Sequence, residues 1–456
     1  MRPKVELIAY ADRFGTGLAG LRGLLNGPLR GLFGGVHVLP FYRPYDGADA
    51  GFDPQDHTEV DERLGSWADI SALGGEYRVM ADMIVNHVSS GSAPFQDWLA
   101  RGEESQFAGM FLTYGTVFPG GATEEELLRL YRPRPGLPFT PYRLAGGRRT
   151  LVWTTFTPQQ VDVDVRHPVT RAYLLRVLDR LAAAGVSHVR LDAVGYAVKT
   201  PGLSSFMTPE TFKFIGELTA WCHDRGLEVL VEVHSYYLHQ VEIARQVDYV
   251  YDFALPPLIL HALTAADARP LLAWQGLRPA NAVTVLDTHD GIGVIDVGPD
   301  AGRGRPGLLS PDQLNRLVEA IHAGSGETSR RATGAAASNV DLYQVNCLLR
   351  RTGPRRRPLP ARPGAAVLDA GDPAGLLRRP ARGEQRHGPA GPHPGRPRRQ
   401  PALLHARRDR RQPGQAGGAG AGPADPVPER APCLRGQHDL FGTGAWHRHE
   451  LGPRRR

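Results

Sequence analysis

Cysteine is scarce. Cys222, Cys347 and Cys433 are the only three among 456 residues, and they stand far apart. This spacing excludes the disulfide framework of a small secreted domain and a cysteine-based zinc knuckle. No apolar run reaches the length of a membrane-spanning helix. The opening stretch MRPKVELIAYADRFG has an apolar segment too short for a secretory signal, and Asp12 and Arg13 interrupt it. The expectation is a cytoplasmic protein with no membrane partner.

A second set of absences is confined to one end. Residues 351–456 contain no Lys, Asn, Ser, Ile, Met or Tyr. They hold 22 Arg against 8 Asp plus Glu, so the first 350 residues carry a formal −7 although the whole chain is +7. Ten types (Arg, Pro, Ala, Gly, Leu, Asp, Glu, His, Gln and Val) supply 101 of the 106 residues. All ten have codons that begin with G or C. A GC-rich gene places G or C at nearly every third codon base, and a shift of register turns third bases into first bases. The tail is therefore expected to be out-of-frame, low-complexity and disordered. CLLRRTG at 347–353 can be encoded so that the shifted register reads Tyr-Tyr-Asp-Ala-Leu-Gly. The rival is a genuine Arg-rich disordered tail that binds nucleic acid, since few aromatics and abundant Pro and Gly fit that too. The frameshift is the preferred reading, and no nucleic-acid partner is expected.

Before the tail, short β-rich runs recur: VELIAY (5–10), GVHVLPF (35–41), RVMADMIV (78–85), HVRLDAV (188–194), EVLVEV (228–233), DYVYDFAL (248–255) and AVTVLD (282–287). Helical periods lie between them. Leu174, Val177, Leu178 and Leu181 fall at i, i+3, i+4 and i+7, and Gly185 stops that helix. Strand, helix and strand at this rhythm predict an α/β fold with a parallel sheet, and seven strands point to a (β/α)8 TIM barrel. The expected organisation is barrel at 1–86, an inserted domain at 87–167, barrel again at 168–290, a long loop region at 291–347, and the tail at 348–456. The eighth strand and any C-terminal β-domain would then fall in the lost frame, leaving two open sheet edges.

Chemistry in such barrels sits beyond the carboxyl ends of the strands. Asn86 and His87 follow strand three, Arg190 and Asp192 end strand four, Glu232 and His234 follow strand five, and His289 and Asp290 follow strand seven. An Arg and an Asp at the end of a buried strand cost free energy unless paired or used. Two carboxylates facing a glycosidic bond serve as nucleophile and acid/base, and a third stabilises positive charge.

The stretches MIVNHVS, VRLDAVGY, VEVHSYY and LDTHDGIG resemble the four signature regions of the α-amylase superfamily of glycoside hydrolases. GFDPQDHTEVDERLG, RLDAVGYAVK, EVHSYY, LDTHDGIGVID and NVDLYQVN resemble, within it, the sucrose phosphorylase family, over nearly all of residues 5–347. The resemblance implies Asp192 as nucleophile, Glu232 as acid/base and Asp290 as transition-state stabiliser. It implies that His289 and His87 hold sugar hydroxyls, that Arg190 keeps Asp192 ionised, and that Asp49, Phe52 and Phe156 line the glucosyl pocket. Gln160, Asp341, Tyr343 and Gln344 would face the acceptor, His234 would be among the substrate-binding residues, and Arg134 and Tyr196 would help bind phosphate. The implied activity is a retaining glycosyl transfer from sucrose to inorganic phosphate, giving α-D-glucose 1-phosphate and fructose. No cofactor or metal is implied, and a homodimer is compatible. Related phosphorylases acting on sucrose 6′-phosphate, glucosylglycerol or glucosylglycerate share the trio and stay open as alternatives, as does an inactive frameshifted product.

Overall fold

Alternation along each apolar strand decides which side chains face a barrel's interior and which meet its helices. The computed structural model describes residues 5–14, 16–46, 50–133, 136–285, 291–327, 344–345 and 445–447. Seven strands lie side by side and parallel: β1 (Val5–Ala9), β2 (Gly35–Val38), β3 (Arg78–Ile84), β4 (His188–Asp192), β5 (Glu228–Val231), β6 (Tyr249–Tyr251) and β7 (Ala282–Val285). They match the seven runs expected from the sequence.

Leu7, Val36, Val38, Val79, Ala81, Val189, Leu191, Val229 and Val250 point outward into one core with the surrounding helices. Their strand neighbours Ile8, Met80, Leu230, Tyr249, Tyr251 and Val283 fill the barrel. Among the helices, Pro168–Ala183 buries Leu174, Val177, Leu178 and Leu181, the four residues its period predicts. Gly185 follows at φ 78°, a left-handed conformation that glycine adopts without strain. Inside the barrel, a Cβ on Gly35 would meet Glu6 Cδ at 2.8 Å and the Arg78 carbonyl oxygen at 2.9 Å, so this point of β2 admits glycine alone.

The segment 87–167 leaves and rejoins the barrel through an antiparallel ribbon, His87–Ser89 against Gln160–Asp162. Beyond that ribbon lies a second hairpin, Phe139–Arg143 with Arg149–Trp153. The described residues 291–327 after β7 are not a plain loop. They contain the helix Pro311–Gly324, started by a capping box of Ser310 and Gln313 and burying Leu317 and Ile321.

Among the described residues there is no eighth parallel strand. A short segment, β8 (Ala445–His447), lies antiparallel between β1 and β7 and closes the ring. The two open edges expected from the sequence are thus bridged, at least along three residues, by the tail itself. Edge strands present rows of unpaired N–H and C=O groups, and any extended segment can pair with them. No helix among the described residues is long and apolar enough to cross a membrane.

Candidate active site

Parity places the site. Asp82 on β3 and Arg190 and Asp192 on β4 alternate with outward-facing apolar residues, so all three face inward. The β3–β4 register sets Arg190 opposite Asp82 and Asp192 opposite Ile84. Glu232 follows β5 directly, and its N–H donates to the Leu191 carbonyl. The chain turns sharply after Asp192 because Ala193 adopts φ 53°, uncommon for a residue with a side chain.

Arg190 is buried and joins the acidic groups. Its Nη1 donates to Asp82 Oδ1 and, at 2.8 Å, to Asp192 Oδ1, while Nη2 stands 3.9 Å from Glu232 Oε2. Burial opposes the guanidinium charge, but the fields of Asp82, Asp192 and Glu232 outweigh it and hold its pKa well above the ordinary range. The reciprocal effect favours the carboxylate form of Asp192. Asp82 is fully buried and braced by His37 Nε2 at 2.8 Å, whereas the side chains of Asp192 and Glu232 each keep 14% exposure. That difference separates a structural carboxylate from two that a substrate can reach.

Phe52 lies under Arg190, with the guanidinium 5.6 Å from the ring centre. Its carbonyl oxygen accepts from His87 Nε2 at 3.0 Å and from Gln160 Nε2 at 3.2 Å. Asn86 Nδ2 stands 3.4 Å from His87 Nδ1, which fits a His87 protonated at Nε2. The rings of His87 and Phe156 are 5.3 Å apart, and Phe156 meets Tyr196 edge-on at 5.1 Å. Tyr196, Phe206 and Tyr131 continue this aromatic wall. On the opposite side, His234 Nε2 is 3.7 Å from Glu232 Oε1, and the His234 ring stacks on Phe253.

The structure therefore brings together Asp192, Glu232, Arg190, Phe52, His87, Phe156, Gln160, Tyr196 and His234. Asp49, Arg134, His289, Asp290, Asp341 and Tyr343 lie outside the described residues. Gln344 is described only as backbone, paired with Gly293 in a short antiparallel ladder.

Three supporting groups were not singled out from the sequence. Asp82 could have been found from its inward parity within RVMADMI. Lys199, which lies in RLDAVGYAVK, is buried with Nζ 2.8 Å from both Asn86 Oδ1 and Asp162 Oδ2, and it donates to the Tyr196 carbonyl. Burial pulls its pKa down, and Asp162 opposes that. Asp296 holds His234 Nδ1 at 2.8 Å and has no local sequence signal beyond lying in LDTHDGIGVID. Among the described residues, no three His, Cys, Asp or Glu side chains converge as a metal site. Cys222 is buried and its thiol pKa is pushed up to about 12, which makes it inert.

Barrel and carboxylate pair together define the class: the chain carries an α-amylase-type barrel, and the family model for the alpha amylase catalytic domain matches residues 31–224. Within that class the relatives are specific. A sucrose phosphorylase from Agrobacterium vitis is 59% identical over 348 residues, covering 76% of this chain and 71% of the relative. A sucrose phosphorylase from Bifidobacterium adolescentis is 57% identical, covering 76% of this chain and 69% of the relative. The solved sucrose 6F-phosphate phosphorylase from Thermoanaerobacter thermosaccharolyticum superposes with a TM-score of 0.69 at 32% identity, covering 77% of this chain and 70% of that one. The chain belongs to the sucrose phosphorylase family.

Proposed function

We propose that this site performs a double-displacement glucosyl transfer from sucrose to phosphate. The observation that carries the reading is the single buried guanidinium of Arg190, bonded to Asp192 and 3.9 Å from Glu232. It favours an ionised Asp192, the form a nucleophile needs, at the end of one strand, with a second reachable carboxyl following the next strand. In the reaction, Glu232 protonates the fructosyl leaving oxygen as Asp192 attacks the glucose anomeric carbon. Phosphate then attacks the glucosyl-enzyme from the face that fructose left, with Glu232 acting as base. Two inversions retain configuration, so the product is α-D-glucose 1-phosphate. Asp290 is assigned the stabilising role by its position in the motif, with His289 beside it. Phe52, His87 and Phe156, with Asp49, form the glucosyl pocket. Gln160, His234, Tyr196, Asp341, Tyr343, Gln344 and Arg134 serve the acceptor side.

Plain sucrose is favoured over the phosphorylated sugar because identity reaches 59% and 57% with proteins named for the former and 32% with the solved protein named for the latter. The test is competition: sucrose against sucrose 6′-phosphate, glucosylglycerol and glucosylglycerate, with glucose 1-phosphate release followed. A preference for any of the other three overturns the sucrose assignment while leaving the transfer mechanism in place.

A second reading concerns the tail, and composition favours it. We infer that residues 348–456 are translated out of frame, so that the function belongs to the protein with its frame restored. The aligned 348 residues leave about a quarter of the chain without counterpart in the relatives, which supports this. Sequencing the gene around the Cys347 codon in independent isolates tests it. A reading frame that runs on into family-like sequence supports the inference, and one encoding the present tail in every isolate contradicts it.

A further inference from the structure

We propose that Phe206 is a positioning residue: it holds the ring of Tyr196, and through that ring it favours phosphate over water as the group that attacks the glucosyl-enzyme. The proposal rests on the glucosyl-transfer reading of the site and on the phosphate role given to Tyr196. Phe206 packs against two rings. It stacks on Tyr131 with centroids 4.3 Å apart and planes 15° from parallel, and it meets Tyr196 at 4.6 Å and 41°. Tyr131 and Tyr196 are themselves 5.9 Å apart, so the three rings form one cluster. Tyr196 in turn meets Phe156 at 5.1 Å, and Phe156 lies 5.3 Å from His87. Phe206 thus backs a row of rings that ends in the glucosyl pocket. Stacked and edge-on contacts restrict the tilt of a ring as well as burying its area.

The backbone is strained to place this ring. Ser205 and Met207, on either side of Phe206, both have left-handed φ, 56° and 47°. Such angles are uncommon for residues with side chains, and a pair of them persists only where the surroundings enforce it. Three hydrogen bonds do so. The Met207 N–H donates to the Gly195 carbonyl at 2.9 Å, the Tyr131 N–H to the Ser204 carbonyl at 2.8 Å, and Ser204 Oγ to the Phe206 carbonyl at 3.0 Å. Gly195 leaves room for the ring, since a Cβ there would meet Phe206 Cε2 at 2.9 Å and Met207 Sδ at 3.2 Å. Gly195 directly precedes Tyr196, so the turn grips both the backbone and the ring of one short segment. A turn that only joined β4 to the helix Pro209–His223 would be less strained with glycine at both places.

Partition of the glucosyl-enzyme tests the inference. An oxygen of phosphate or of water bonds the anomeric carbon, breaks its ester bond to Asp192 and passes a proton to Glu232. Phosphate gives glucose 1-phosphate and water gives glucose, so both products draw on one intermediate. A variant that merely folds less well loses both alike and keeps their ratio. Initial rates are measured with sucrose and inorganic phosphate in the frame-restored protein. Phe206→Leu should raise the ratio of glucose to glucose 1-phosphate about fivefold, the scale of one aromatic contact. Gly195→Ala, which pushes on the same ring, should raise it too, while Phe206→Tyr keeps a ring in place and should return it towards the unsubstituted value. An unchanged ratio in Phe206→Leu would overturn the proposal. The second measurement reads the ring itself, by carbon-13 NMR of the full chain labelled in tyrosine, with the Tyr196 signals assigned by their loss in Tyr196→Leu. Phe206→Leu should shift those signals by removing the ring current of the neighbour, and unshifted signals would overturn the proposal without any turnover. Failure of all glucosyl transfer in the unsubstituted protein would instead refute the proposed function and the phosphate role with it, and the ring signals would still decide whether Phe206 holds Tyr196.

Discussion

At the scale of single residues, the proposed reaction gives Asp192 and Glu232 separable tasks. If Asp192 is the nucleophile, Asp192→Asn should form no glucosyl-enzyme with any donor. Glu232→Gln should slow phosphorolysis of sucrose by roughly 10²–10⁴-fold, the range for loss of an acid/base. A glucosyl donor with an activated leaving group needs no proton in the first step, and should partly restore that step in Glu232→Gln only. Rescue of both variants to the same extent would show the roles to be misassigned. The alternation of HVRLD made these positions readable from sequence, because it puts Arg190 and Asp192 on one face of a strand. Asp82 follows the same rule within RVMADMI, but no recognisable motif marks it. Asp296 and His234 are 62 positions apart, and only tertiary folding brings them together.

At the scale of elements, the loops that build the pocket are tied to the barrel by buried polar groups. His57 lies on the strand Pro54–Val60, accepts the Ile84 N–H from β3 through Nε2 at 3.3 Å, and meets the Tyr173 hydroxyl through Nδ1 at 2.7 Å. Burial, with help from His87, lowers its pKa to about 3. The unfolded chain therefore binds a proton that the folded chain refuses between about pH 6.5 and pH 3. Stability falls as pH drops through this window, by up to about 1.4 kcal/mol per pH unit for this group. His239, lowered to about 4 mainly by burial and then by Arg303, acts in the same direction. Thermal unfolding followed from pH 7.5 to 4.5 should show Tm falling with acid, and His57→Gln should flatten that slope. An unchanged slope would remove His57 from the account.

Lys199 is the second tie. It joins Asp162 of the inserted ribbon, Asn86 after β3 and the Tyr196 carbonyl after β4. Lys199→Met would leave the Asp162 carboxylate buried without its cation, and should destabilise by roughly 3–5 kcal/mol. Denaturant unfolding of the variant checks this, and a loss under 1 kcal/mol would contradict it. The strands and the helix Pro168–Ala183 were legible because long apolar periods determine them. The helix Pro311–Gly324 was not, since its start depends on the local capping of Ser310 by Gln313 and the surrounding stretch is rich in Gly and Pro.

At the scale of the whole molecule, the question is what completes the barrel. Among the described residues, seven parallel strands follow the family pattern, and between β7 and β1 stand three residues running the other way. Such a short strand covers little of the flank that a parallel strand and its helix would cover. The tail has one Phe, one Trp and no Ile or Tyr, so it has little apolar surface to offset the entropy of ordering it. The protein with its frame restored after Cys347 should unfold at higher temperature and resist proteolysis better than the present chain. Cooperative unfolding and protease resistance through residue 456 in the present chain would make the tail a genuine domain.

The central claim is that the pair Asp192 and Glu232 transfers glucose from sucrose to phosphate with retained configuration. The most direct measurement is phosphorus-31 and proton NMR of the products formed from sucrose and inorganic phosphate by the frame-restored protein, with its Asp192→Asn variant alongside. The account predicts fructose and α-D-glucose 1-phosphate in equal amounts from the former and neither product from the latter. The β anomer, free glucose in place of the phosphate ester, or the same products from Asp192→Asn would contradict it.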